Sequence, residues 1–259
     1  MRMGIAAMTA ALCLAACGPN MDDLEKGETG KVVAVIDGDT LKLDSGLKVQ
    51  LTEIIAPHLG YAGGEDEPQA KDARATLEKI ALGRPARLGY GGAKRYKDTT
   101  ALAQLYVQTE GGRWVWVQEA MLREGMARVR MWKDNHARAD KLFAAEAQAR
   151  ADKKGIWADK AYAVRDAETI GADETGYQIV EGVVKKVAKE KDRTYLNFGD
   201  DYRTDFTIEV NADNLASWGP KDPTLDSLQD KRIRVRGYVS DHGGPMIDVD
   251  TPQSIEIVK

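Results

Sequence analysis

Val32-Val33-Ala34-Val35-Ile36-Asp37-Gly38-Asp39-Thr40-Leu41-Lys42-Leu43 is the stretch on which the fold turns. The β-branched run Val32 to Ile36 reads as a strand, Asp37-Gly38-Asp39-Thr40 carries turn chemistry, and Leu41 and Leu43 alternate with Lys42. Asp44-Ser45-Gly46 signals a second reversal, after which Leu47, Val49 and Leu51 resume the alternation. Two reversals that keep one apolar face describe a curled antiparallel meander.

Working outward, Pro68 suits a first helical position, and Ala70, Ala73, Leu77 and Ile80 recur at helical spacing until Gly83. Strands are expected at 87–90, at 101–109 and, after the turn Glu110-Gly111-Gly112, at 114–117. Two more helices follow. One runs near 117–124 and is closed by Gly125; the other runs near 135–154, is closed by Gly155, and turns Leu142, Ala145 and Ala149 inward. From 176 onward no helical period of any length exists. Short strand patterns near 178–187, 194–198, 205–210, 232–239, 246–249 and 254–258, parted by Asp, Gly and Pro clusters, predict a second, smaller closed barrel.

The chain has 259 residues, 43% apolar and 30% charged, enough for one large core or two modest ones. Both cysteines, Cys13 and Cys17, lie at the very start, so no disulfide is available to the body. Arg2 and the apolar run 4–16 have the layout of a secretory signal. Leu14-Ala15-Ala16-Cys17 resembles a bacterial lipobox, which implies cleavage before Cys17 and its acylation. The expected organisation is a lipoprotein signal peptide at 1–16, a solvated tether at 17–29, a first domain at 30–160, a linker at 161–175 and a barrel at 176–259. The expected address is the periplasmic face of the envelope, held to a membrane by the lipid on Cys17. The overall charge is −4, but residues 30–160 balance at +4 and residues 176–259 at −3. A net acidic chain is a poor indiscriminate phosphate binder, so nucleic acid is a weak partner and no protein partner is named by the sequence.

The order of motifs in 30–160 resembles the thermonuclease, or staphylococcal nuclease-like, family. Its carriers are Val35-Ile36-Asp37-Gly38-Asp39-Thr40-Leu41, Ala56-Pro57, Leu102-Ala103, the run from Glu119 through Gly125 to Val129, and Glu146-Ala147-Gln148-Ala149 leading to Gly155-Ile156-Trp157. The resemblance implies an α+β, mainly β chain: a nuclease-like OB barrel with three helices, followed by an OB-like barrel.

It also implies calcium-dependent phosphodiester hydrolysis, with two carboxylates on the metal, a glutamate as base and two arginines on the phosphate. Asp39 occupies the first metal position, with Asp37 beside it. The second acidic position falls on Ile55, the first arginine on Gln50, the glutamate on His58 and the second arginine on Thr100. Lys94, Arg95 and Lys97 leave positive charge in the nearby loop, and Glu53 is a displaced candidate for the missing acid, two residues from Ile55 on a strand and so on the same face, needing a register slip of two to come into place. The Asp37–Thr40 loop is either a retained turn or a weak, mostly hydrated calcium site.

Trp114, Trp116, Trp132 and Trp157 read as packing. The mixed charges Arg123, Arg128, Arg130, Lys133, Arg138 and Lys141 with Glu119, Glu124, Asp134 and Asp140 read as a solvated face. In the last barrel Tyr195, Phe198, Tyr202 and Phe206 offer rings, but Asp200, Asp201 and Asp205 repel a phosphate backbone. The sequence therefore points to a thermonuclease-like envelope lipoprotein with an impaired site, acting as a binding or scaffolding module. The alternative is a slow metal-dependent phosphodiesterase acting on DNA or RNA through Asp37, Asp39, Glu53 or His58. A third reading has either barrel binding nucleic acid without cutting it.

Overall fold

The computed structural model describes residues 19–258 apart from 98, 202, 217 and 221. The leader, Cys17 and Tyr202 lie outside the described residues. Among the described residues no helix is long and apolar enough to cross a membrane.

The first barrel is built from β1 (Glu25–Val35), β2 (Thr40–Leu43), β3 (Lys48–Leu51), β4 (Pro85–Tyr90) and β5 (Thr100–Gln108). Strand β1 pairs with β4 through its first half and with β2 through its second, and β3 closes the ring by running parallel to β5. Val32, Leu41, Leu43, Val49, Leu51, Leu88 and Leu105 fill it, so the alternation in the sequence is the alternation of a closed sheet. Helices α1 (Ala70–Ala81), α2 (Val117–Arg123) and α3 (Ala139–Ala151) pack around it.

The expected tether is partly wrong. Residues 25–29 are the first half of β1, with Glu25 opposite Tyr90 and Thr29 opposite Arg87, and Met21 and Leu24 are buried in the core. The reason is geometric: one strand must reach two neighbours for the barrel to close, so its outer half keeps polar side chains while its backbone is paired.

The second barrel uses β6 (Gly176–Val183), β7 (Lys186–Glu190), β8 (Arg193–Asn197), β9 (Thr207–Asn211), β10 (Arg232–Asp241) and β11 (Pro245–Asp248). β6 pairs with β10, β10 with β11, β11 with β9 in parallel, β9 with β8 and β8 with β7. Because β6 and β7 are two halves of one bent segment, the pairing runs the whole way round. A four-residue helix, Ala212–Leu215, follows β9. The expected linker is not free either: Arg165–Asp166 pairs in parallel with β6, and Ala167 and Ile170 belong to the second core.

The barrels meet through buried charge. Arg236 on β10 reaches Glu146 on α3, Glu256 and the carbonyl of Val129. Arg128 donates to the carbonyl of Tyr177, whose hydroxyl donates to the carbonyl of Val129 at 2.8 Å. Arg128 and Arg138 are thus buried, not part of a solvated face as their mixed-charge surroundings suggested.

Candidate active site

The turn between β1 and β2 presses against α1. A Cβ on Gly38 would lie 2.5 Å from that of Ala56 and 2.8 Å from that of Ala73, so only glycine allows this approach. The Asp39 amide donates to Asp37 Oδ1 at 3.0 Å, and the Asp39 carbonyl accepts from Leu51 at 2.8 Å. The Asp39 carboxylate points inward and is 2% exposed. Its Oδ1 accepts from the Thr40 hydroxyl at 3.0 Å and its Oδ2 from the Ala56 amide at 3.1 Å. Burial, with the charge of Asp37 beside it, pushes this carboxyl up to about 7, against the opposing pull of His58 and these two donors.

The positions expected to carry charge around Asp39 are occupied by uncharged side chains or a histidine. Gln50 lies opposite Thr40 and beside Leu102; Thr100 is buried opposite Lys48. Ile55 is buried in the short strand Ile54–Ile55, paired with Arg128–Val129. His58 is held by Glu67: its amide donates to Glu67 Oε2 at 3.1 Å, and its ring Nδ1 lies 3.8 Å from the same oxygen. The Glu67 carboxylate lifts the histidine above its ordinary range, which favours the protonated form and works against a base.

Glu53 does not substitute for the missing acid. The strand expected through Glu53 breaks there: Thr52 and Glu53 form a turn, Glu53 has φ of 66°, and its carboxylate accepts the amides of Ala137 at 3.1 Å and Arg138 at 3.2 Å. Its side chain serves the loop before α3. The basic loop is likewise engaged elsewhere. Lys94 pairs with Glu25 at 2.6 Å, Arg95 bonds Glu28 and the Tyr90 hydroxyl, and Lys97 lies 5.2 Å from the centre of the Tyr96 ring. Glu25 and Glu28 sit on the part of β1 that was read as tether, which is why the sequence did not show these partners. Glu67 was missed for another reason: nothing local to Glu65-Asp66-Glu67 says which acid folds back on His58.

Calcium takes six to eight oxygens. Here both Asp39 oxygens already accept from the protein, the Ile55 side chain offers no oxygen, and among the described residues no three His, Cys, Asp or Glu side chains gather in a way that could hold a metal ion. The residues present do not fit a calcium cradle.

A closed five-stranded barrel with a parallel closing pair, an Asp-Gly-Asp-Thr turn on its first reversal and three packed helices defines a nuclease-type OB barrel. Residues 48–159 match the family described as staphylococcal nuclease homologue. The chain is also similar to the thermonuclease of Staphylococcus hyicus, 27% identical over 135 residues that cover 51% of this chain and 77% of that protein. The similarity to thermonucleases thus lies in the first barrel. The family match ends before the second barrel begins.

Proposed function

We propose that this chain is an exported lipoprotein, anchored through Cys17, in which a thermonuclease-like barrel has given up hydrolysis and works with the second barrel as a binding or scaffolding module. The observation that supports it is the state of Asp39: a sealed carboxylate, engaged by Thr40 and Ala56, with Ile55, Gln50 and Thr100 where oxygen and guanidinium ligands would stand. Phosphodiester hydrolysis needs charge stabilisation on the phosphoryl oxygens, and each preorganised donor removed costs roughly a hundredfold to a thousandfold in rate. Such losses are not additive, yet the absence of several together leaves positioning alone. The membrane address rests on Leu14-Ala15-Ala16-Cys17.

Calorimetric titration of the purified chain with calcium, manganese and zinc tests the reading. No saturable heat is expected. A saturable heat that disappears in Asp39→Ala would return the chain to the metal-dependent phosphodiesterases.

A further inference from the structure

Arg130 follows the short strand Arg128–Val129, and its amide donates to the carbonyl of Glu53 at 3.0 Å. Its guanidinium lies over two rings, 4.5 Å from the centre of Trp132 and 5.1 Å from that of Tyr238 on β10. Both rings are themselves held. Trp132 exchanges backbone hydrogen bonds with Asn135 at 3.1 and 3.3 Å. Tyr238 stands opposite Tyr177 on β6, with the two rings edge to face at 5.4 Å. Cation–π contact engages a guanidinium through its flat face and leaves the N–H groups on its edge to donate. Among the described residues no acceptor takes those of Arg130. These groups line a cleft of about 350 Å³ where the two barrels meet, a volume in the range of small-molecule sites. Trp132 brings a second unmet donor, since its buried Nε1–H has no acceptor, and a buried donor of that kind calls for a partner.

Unpaired charge of both signs stands in this cleft. Arg236 also lines it, but Glu146 and Glu256 answer its charge. Asp248 at the end of β11 and Asp250 two residues on add two carboxylates, neither with an ion-pair partner among the described residues. A fork-shaped cation matches a carboxylate, which it can hold through two parallel hydrogen bonds. Two carboxylates match an ammonium group, and the aromatic walls match a short apolar body between the two ends. The same pair of carboxylates repels a phosphate backbone. We propose that the cleft between the barrels binds a small zwitterion with one carboxylate and one ammonium group, the chemistry of a free amino acid or a short peptide. The assignment gives a ligand class to the binding role proposed above and rests on that role, not on the state of the Asp39 site. Zwitterions and metal ions are separate titrants, so either reading can fail alone.

The test is calorimetric titration of the full purified chain with alanine, leucine, alanyl-alanine and leucyl-leucine, each also as its N-acetyl and its C-terminal amide form. Indole N–H resonances are followed in parallel by heteronuclear magnetic resonance, that of Trp132 being assigned by its loss in Trp132→Phe. The amino acids and the dipeptides separate the two sources of the same chemistry. At least one free zwitterion is expected to bind saturably and to move the Trp132 indole resonance, and capping either of its ends is expected to weaken it about tenfold. Arg130→Gln is expected to cost a similar factor for the free ligand. The double variant Asp248→Asn, Asp250→Asn is expected to narrow the gap between the free and the N-acetylated ligand. The capped ligands test the wild-type chain, so the comparison stands even where a variant folds poorly. Saturable binding by none of the four, equal affinity for capped and free forms, an unmoved Trp132 resonance, or undiminished affinity in a folded Arg130→Gln would overturn the proposal.

Discussion

Arg236 of the second barrel holds both carboxylate oxygens of Glu146 on α3 at 3.0 Å from one guanidinium nitrogen, and neither side chain is more than 1% exposed. Burial opposes the charge on Arg236, but the carboxylates of Glu146 and Glu256 hold the guanidinium protonated above its ordinary range. Glu146 in turn accepts the Val129 amide at 2.7 Å and pairs with Arg150 at 3.3 Å. The contact between the barrels is therefore a charged knot with Arg236 and Glu146 sealed at its centre and Glu256 and Arg150 at its partly exposed rim.

Breaking such a pair from one side costs more than the pair contributes, because the surviving charge stays buried. Arg236→Met is expected to lower unfolding stability by about 3–5 kcal/mol. The double variant Arg236→Met, Glu146→Gln is expected to recover a large part of that loss, since glutamine still accepts the Val129 amide. Urea unfolding measures both; a single variant within about 1 kcal/mol of wild type would show that the knot is hydrated.

Asp39 gives a pH signature. Its carboxyl is raised from 3.8 to about 7 in the folded chain, so between those values the folded state binds more protons than the unfolded one. The stability it contributes is fully present below 3.8 and is lost as pH rises toward 7. Asp39→Asn removes the ionisation; its carbonyl can accept the Ala56 amide while its amide donates to Thr40. The variant is expected to be more stable than wild type at pH 8 and to flatten the stability profile between pH 4 and 7. Thermal melts across that range check it, and an Asp39→Asn protein less stable at pH 8 would contradict the buried-carboxyl account.

How much of this was legible beforehand depended on the range of the interaction. The alternation of Leu41, Leu43, Val49 and Leu51 and the glycines after the helices are local signals, and they led to the right barrel and three helices. Gln50, Ile55 and Thr100 could be placed by counting from Ala56-Pro57 and Leu102-Ala103. The partners of Glu53, Arg95 and Arg236 could not: Arg138 is 85 residues from Glu53, Glu28 is 67 from Arg95 and Glu146 is 90 from Arg236. An outward charge on a strand looks the same in sequence whether it meets water or another barrel. Arg234 and Arg236 illustrate the limit, since they share a face of β10, yet the first pairs with Glu181 within its own barrel and the second crosses to α3.

Glu25 and Glu28 hold the basic loop. Both ion pairs are partly exposed, at 2.6 Å for Lys94 with Glu25, so each stabilises by less than about 1 kcal/mol. The double variant Glu25→Gln, Glu28→Gln is expected to fold normally and to release Lys94 and Arg95. Affinity for single-stranded DNA should then rise, with a salt slope steeper by roughly one to two. An unchanged slope in fluorescence anisotropy would show that these acids do not restrain the loop.

Incubation of the purified chain with single-stranded and duplex DNA in the presence of calcium asks the deepest question put to the first barrel. The account predicts intact substrate, in wild type and in Asp39→Ala alike. Fragmentation that requires the divalent ion and is abolished by Asp39→Ala would contradict it.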